Sequence, residues 1–310
     1  MTARRLAFLG PRGTFCEAAL LTMPAAEGAE HVAAASVQAA IDAVRTDAAD
    51  AALIPIENSV EGSVSVTLDE LAKGVRLVIV DEVVLPVRFT LMARPGTDLG
   101  AVRRLATHPH AHAQVRRWID ANLPGAVVIP ALSTAGAAAA LLEESPAFDA
   151  AVAPRLAADI YGLDVLADNI GDTEEATTRF VLVQKPGDIP APTGADKTTL
   201  SLFMHLDQPG ALMAILNEFA VRGVNLTRIE SRPTRKALGD YFFSVDLEGH
   251  VADSRVSEAL MGLHRVCLDV RFLGSYPRHD GRRPVLRAGV TDNDFAEAQF
   301  WLDKLKGNMQ

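Results

Sequence analysis

The sequence predicts an α/β protein in two parts, and three observations carry that prediction. Strand-like apolar runs alternate with capped helical segments up to about residue 185, a proline- and glycine-rich stretch interrupts them, and a compact strand–helix series follows. Alternation with short loops argues for parallel sheets covered by helices. The later series runs strand 198–206, helix 210–222, strand 224–231, strand 240–247, helix 252–264 and strand 268–275. That βαββαβ order is the ferredoxin-like arrangement.

Taken in order, "RLAFLG" (5–10) reads as a strand, and Thr14 opens a helix with Glu17 three residues on, a capping box. A helix from Ser36 leads to "AALIPIENS" (51–59), a strand running into a polar turn, and Thr67 with Glu70 caps the next helix. The β-branched run 75–93 is long enough for one strand passing between two lobes. A helix from Pro109, a strand at 126–130, a helix from Ser133, a strand at 149–154, a short helix and "TRFVLV" complete the first part. "KPGDIPAPTGADK" (185–197) lacks hydrophobic periodicity and is the interdomain linker, its core 186–197. The tail, 277–310, is charged, with one amphipathic piece at 294–305 expected to pack on a neighbour.

Length and composition narrow the class. A chain of 310 residues, 49% hydrophobic, supports two domains with a sizeable core. A formal charge of −9 opposes nucleic acid and anionic membrane as partners. Cys16 and Cys267 match no metal-ligand spacing and read as buried small hydrophobes in a reducing compartment. The apolar run at the N-terminus is too short for a signal peptide, and no stretch reaches the roughly 20 apolar residues that span a bilayer. These features imply a soluble, cytoplasmic protein.

Five stretches could carry chemistry. "GPRGTF" (10–15) joins a strand to a helix start; it is either a tight turn or an anion cradle, and it lacks the Gly-Lys-Ser/Thr ending of a nucleotide loop. "PIENSVEGSV" (55–64) puts Glu57, Asn58 and Ser59 at the end of a strand, where open α/β sheets place ligands. In "THPHAHAQ" (107–114), His108 and His112 are four apart, but no acidic partner sits at helical spacing and Pro109 makes His108 a cap. "STAGAA" (133–138) opens a helix on two hydroxyls, Ser133 and Thr134, for which simple capping is a sufficient account. "TTRFVLV" (177–183) is a buried strand with a polar head.

In this order and spacing the stretches resemble the prephenate dehydratase family. "GALM" (210–213) and "NLTRIESRP" (225–233) resemble its ACT regulatory domain. The resemblance covers roughly residues 4–276, with Cys16 in place of a usual serine and Ala176 in place of a frequent asparagine. It implies the monofunctional form, without an N-terminal chorismate mutase domain. It also implies a two-lobed catalytic domain of periplasmic-binding-protein-like fold over 1–185, its lobes 1–76 with 160–185 and 77–159, and an ACT domain over 198–276.

By the same resemblance, prephenate is decarboxylated and dehydrated to phenylpyruvate, with Thr178 acting on the leaving hydroxyl and Arg179 holding a carboxylate or bracing the wall against Glu57. Strand alternation turns Arg179 away if Thr178 and Phe180 face the substrate, which favours bracing. Contacts to substrate are expected from Thr14, Glu57, Asn58, Ser59, His108, Ser133, Thr134 and Phe180, with no metal or organic cofactor. L-Phenylalanine is the expected effector, held by Gly210, Ala211, Leu212, Asn225, Leu226, Glu230, Ser231, Arg232 and Pro233 between subunits of a homodimer or homotetramer. The alternatives are an arogenate dehydratase, with the aminated substrate, and a non-catalytic amino-acid-binding sensor.

Overall fold

A computed structural model describes residues 3–173, 175–205, 208–235 and 240–307. The chain divides into two compact units, residues 1–67 with 83–182 and residues 68–82 with 183–310. In chain order the first part contains β1 (Arg5–Leu9), α1 (Phe15–Leu21), β2 (Glu30–Ala34), α2 (Val37–Arg45), β3 (Ala51–Asn58), β4 (Gly62–Ser63), α3 (Ser65–Leu71) and β5 (Val78–Pro86). It continues with β6 (Thr90–Ala93), β7 (Arg104–Thr107), α4 (Pro109–Asn122), β8 (Val127–Pro130), α5 (Thr134–Ala140), β9 (Ala150–Ala153), α6 (Arg155–Tyr161), β10 (Asp164–Ala167) and β11 (Thr177–Gln184).

These strands form two sheets, ordered β2-β1-β3-β11-β5 with β4 on β3, and β10-β6-β9-β7-β8. β1 lies parallel between β2 and β3, and its Leu6, Ala7 and Phe8 are buried on both faces, as a central strand of a covered sheet requires. α2 covers that sheet with Val37, Ala40, Ile41 and Val44, the 3–4 spacing of one helix face, and Ser36 Oγ caps it by accepting from Ala39 N. The second core is rich in alanine: Ala137, Ala138, Ala151, Ala153, Ala157 and Ala158 pack together, small enough for helix and strand backbones to approach closely.

Several sequence expectations are corrected. Residues 75–93 are not one strand, because β5 pairs in the first sheet and β6 in the second, with residues 87–89 between. The second sheet is mixed, since β6 runs antiparallel to β9 and β10. β10 belongs to that second sheet, so residues 164–167 leave the first lobe. β2, β7 and β10 add to the strands expected from the sequence; each has only four or five residues, too few for a clear alternation. Thr67 is not a cap: α3 starts at Ser65, and the buried Thr67 hydroxyl donates to Pro55 O at 2.6 Å.

The second unit contains β12 (Asp196–Phe203), α7 (Ala211–Ala220), β13 (Leu226–Pro233), β14 (Tyr241–Glu248), α8 (Ser254–Val266), β15 (Asp269–Pro277) and α9 (Asp292–Leu305). Its antiparallel sheet has the order β13-β14-β12-β15, so the βαββαβ expectation stands, with Asp196 and Lys197 already in β12 rather than in the linker. Leu200, Leu202, Val245, Leu247, Ile215, Phe219, Val256 and Leu263 form the core between sheet and helices. The opposite side chains of the sheet are polar: Asp246 receives Arg228 Nε at 2.9 Å and the Thr199 hydroxyl at 2.7 Å, pairing a buried charge as such sites require. α9 carries a complete capping box at Thr291 and Asp294 and buries none of its residues.

Residues 68–82, expected in the catalytic region, pack within this second unit. Arg271 donates to the carbonyls of Ala72 and Gly74, Arg232 forms a fork on Asp69 at 3.1 and 3.2 Å, and Lys197 Nζ reaches Glu82 at 2.9 Å. Gly274 in β15 has a φ of +132°, and a Cβ there would lie 2.2 Å from Ile79 O. Only glycine permits both that backbone and that approach. Gly274→Ala is therefore expected to destabilise the protein by on the order of 3 kcal/mol. A thermal scan checks this, with an expected fall in the unfolding midpoint of about 5 °C or more.

Candidate functional site

The turns after β1, β3, β7 and β8, together with β11, line a cavity of about 670 Å³ in the first unit. Ligands gather in such sheets beyond the carboxyl ends of parallel strands. Its polar wall holds Thr14, Asn58, Glu61, Ser63, His108, His110, Gln114, Ser133, Thr134 and Thr178, and its apolar wall includes Phe15, Val87, Phe89, Leu132 and Phe180. Phe15 and Phe89 meet edge to face with centroids 5.4 Å apart, a rigid aromatic floor. Among the described residues no lysine or arginine lines the cavity.

The end of β3 and the start of β11 are fastened residue by residue. Ser59 N donates to Thr177 O at 2.9 Å, and Thr177 N donates to Ser59 Oγ at 2.9 Å. Asn58 Nδ2 donates to Thr178 Oγ1 at 2.8 Å. Arg179 Nη1 lies 3.5 Å from Glu57 Oε2. Alternation along β11 then sends Thr178 and Phe180 to the cavity and Arg179 away from it. Of the residues expected at the substrate, the structure brings Thr14, Asn58, His108, Ser133, Thr134, Thr178 and Phe180 together, whereas Glu57, Ser59 and Arg179 bind one another's strands outside the lining. Bracing of Arg179 by Glu57 is the arrangement present.

Of the two readings of the turn at 10–15, the tight turn is the one present. Glu17, only 1% exposed, accepts from Gly13 N at 2.5 Å and from Arg12 Nε at 3.1 Å. The chain's own carboxylate thus occupies the position an anion would take. Thr14 Oγ1 caps α1 by accepting from Glu17 N and donates to Leu9 O, so its hydroxyl is committed too.

His108 caps α4, its Nδ1 accepting from His110 N at 3.2 Å, which leaves the proton of the neutral ring on Nε2. Desolvation, then the neighbouring His110, holds its pKa below the ordinary histidine value against the opposing pull of Glu61. His108 therefore meets a ligand as a neutral N–H donor at neutral pH. Among the described residues no group of three His, Cys, Asp or Glu side chains could hold a metal ion. Ser133 Oγ caps α5 by accepting from Gly136 N at 2.9 Å.

Sequence reading missed Glu61, Ser63, His110 and Gln114. Gln114 lies one helical turn beyond His110, and its buried Oε1 has no hydrogen-bond partner among the described residues, while Nε2 reaches His110 O at 3.3 Å. That spacing was legible; the aromatic residues Phe15 and Phe89 carried no local signal, because each reads as ordinary core.

The residues expected to hold an effector lie in the second unit on an open surface. Gly210 (φ +88°) precedes α7, and Leu212, Asn225, Ser231 and Pro233 are exposed, with Ala211, Leu226, Glu230 and Arg232 partly covered. Arg232 is committed to the fork on Asp69 and lies 3.6 Å from Glu230, so its guanidinium serves an internal ion pair.

Comparison with known proteins adds to this geometry. Residues 6–188 match the prephenate dehydratase family and residues 198–265 match the ACT domain family. The chain is 47% identical over 299 residues to a prephenate dehydratase of Amycolatopsis methanolica, covering 96% of each chain. Its structure is similar to that of a prephenate dehydratase from Arthrobacter aurescens in complex with L-Phe, at 50% identity and a TM-score of 0.94, covering 98% of this chain and 99% of that one. GqqA, described as a novel type of quorum-quenching acylase, is 34% identical with a TM-score of 0.78, over 88% of this chain and 98% of that one.

Burial pushes the Cys16 thiol up to about 12, and its Sγ donates to Leu53 O at 3.2 Å; Cys267 is pushed up to about 11 by burial and then Glu218. At pH 8 the Cys16 thiolate is then about one part in 10⁴. Iodoacetamide at that pH is expected to leave Cys16 unmodified in the folded protein and to label it after denaturation, as read by peptide mass spectrometry.

Proposed function

This chain belongs to the prephenate dehydratase family, and from that premise we propose that its cavity converts prephenate to phenylpyruvate with loss of carbon dioxide and water. The observation that carries the reading is the joint placement of Thr178, Asn58 and Phe180 in one wall of the cavity beside neutral donors from His108, Ser133 and Thr134. Aromatisation of the ring drives the reaction, so the protein's task is to help hydroxide depart. Thr178 donates a hydrogen bond to the leaving hydroxyl. A threonine is too weak an acid to transfer its proton outright, so it acts as a placed donor in a preorganised wall. His108 Nε2–H and the Ser133 hydroxyl hold the carboxylate that is retained, and the Phe15, Phe89 and Phe180 rings exclude water from the one that leaves.

An acyl-transfer reading, which the GqqA likeness raises, finds no support in the wall. Cys16 is buried with its pKa pushed up to about 12, and Ser133 is bonded to a backbone N–H rather than to a base.

The same reading makes L-phenylalanine the effector of the ACT-like unit, in a homodimer or homotetramer located in the cytoplasm. The exposed Leu212, Met213 and Ile229 support pairing through this unit. The effector's amino group lies near Asn225 and its ring near Leu212.

Mixing the purified protein with prephenate and following the ultraviolet absorbance of phenylpyruvate tests the activity. Thr178→Val keeps shape but removes the hydroxyl, and turnover is expected to fall roughly 10²–10⁴-fold with little change in KM. Thr177→Val is expected to cost much less; a Thr178→Val protein with wild-type turnover would sink the assignment. For the effector, Asn225→Ala in the full chain is expected to need at least several-fold more phenylalanine for equal inhibition, with uninhibited turnover intact. An unchanged inhibition curve counts against Asn225.

A further inference from the structure

We propose that Asn58 is a positioning residue that fixes the direction in which Thr178 can give its hydrogen, rather than a ligand of the substrate. The proposal rests on the reading of Thr178 as the donor to the leaving group. An asparagine amide has an accepting end and a donating end, and which is which follows from its partners. Here one end receives two backbone N–H groups, Val60 N at 2.8 Å and Glu61 N at 3.0 Å. An NH2 in that place would face two donors, so that end is the oxygen. The other end is therefore Nδ2, and it donates to Thr178 Oγ1 at 2.8 Å.

The consequence falls on Thr178. Its oxygen accepts on the side of Asn58, so its own hydrogen must point elsewhere. Among the described residues no group accepts that hydrogen, and the side chain lines the cavity. Thr178 is only 8% exposed, and the preceding residue is clipped by Ser59 on both its N–H and its carbonyl, so backbone drift does not relieve the arrangement. Turning the amide over would break two hydrogen bonds from the β3–β4 turn and oppose donors at once. Asn58 thus keeps the hydroxyl an acceptor toward the wall and a donor toward the substrate.

The test compares Asn58→Asp with Asn58→Ala at saturating prephenate. The aspartate variant keeps an oxygen for Val60 and Glu61, but its second oxygen only accepts, so Thr178 donates to it and its hydrogen leaves the cavity. The alanine variant removes both ends and lets the hydroxyl rotate freely. The expected kcat of Asn58→Asp is lower by on the order of 10²–10³-fold, below that of Asn58→Ala, at about tenfold. KM is read separately, because an added negative charge repels an anion whatever Asn58 does. Protonation of the introduced carboxyl restores a donor, so the deficit of Asn58→Asp relative to wild type should shrink as pH falls from about 8 to about 5.

A purely structural Asn58 predicts the reverse order, since the aspartate is the closer replacement. An Asn58→Asp protein that turns over as fast as Asn58→Ala or faster, with matching unfolding midpoints, overturns the proposal. Should Asn58→Asp not fold, Asn58→Ala combined with Thr178→Val decides: no loss beyond that of Thr178→Val supports the proposal, and multiplied losses overturn it. Failure of the underlying reading is separate and visible first, as wild-type turnover in Thr178→Val alone.

Discussion

The candidate site depends on the fastening of residues 57–59 to residues 177–179. Three consecutive side chains at the end of one strand each hold one of three consecutive residues at the start of another: Ser59 holds Thr177, Asn58 holds Thr178, and Glu57 holds Arg179. The partners are about 120 residues apart in sequence, so the arrangement exists only once the chain has crossed to the second sheet and returned. Arg179 is nearly buried, and an unpaired guanidinium there would be strongly unfavourable. The pair with Glu57 helps hold β11 in the facing observed. With Arg179 turned from the cavity, Thr178 and Phe180 must face it.

A second constraint concerns α3. The division between the two units falls inside this helix, between residues 67 and 68. On one side Thr67 is tied to Pro55 O; on the other, Asp69 takes the fork of Arg232 and a bond from Arg235 at 2.6 Å. Buried polar groups cost little only while their partners remain. Cutting the chain near Lys185 would remove the partners of Asp69 and Glu82 together with the carbonyl contacts of Arg271. The units are consequently not separable at one point of the sequence, and effector responses are best read in the full chain.

Much of this was legible in the sequence, for identifiable reasons. The βαββαβ unit showed itself because its helices are amphipathic and its strands alternate. The polar head of β11 and the cluster Glu57–Ser59 stood out because polar groups at strand ends are conspicuous beside apolar runs. What a linear reading could not give is which polar group meets which. Glu17 looked like a capping partner and is instead the anion of its own turn. Arg232 and Glu230 looked like effector contacts, whereas Arg232 is committed to Asp69, some 160 residues earlier in the chain. Residues 68–82 sat by position in the first part and pack in the second unit, since sequence order carries no record of long-range burial.

The cavity's charge bears on the reaction proposed for it. The protein is net negative, at −9, and the cavity wall has neither lysine nor arginine among the described residues. A dianionic substrate would therefore be held by neutral donors, chiefly a neutral His108 and hydroxyls. Fixed cations would bind both carboxylates more tightly, but they would also stabilise the ground state of the one that must shed its charge. Only interactions stronger in the transition state than in the substrate complex accelerate a reaction. Neutral donors lose little when a carboxylate becomes carbon dioxide, while a donor aimed at the departing hydroxyl gains as negative charge gathers there. Under the proposed reaction, a wall of this composition gives up some affinity for the substrate and concentrates its differential interaction on Thr178.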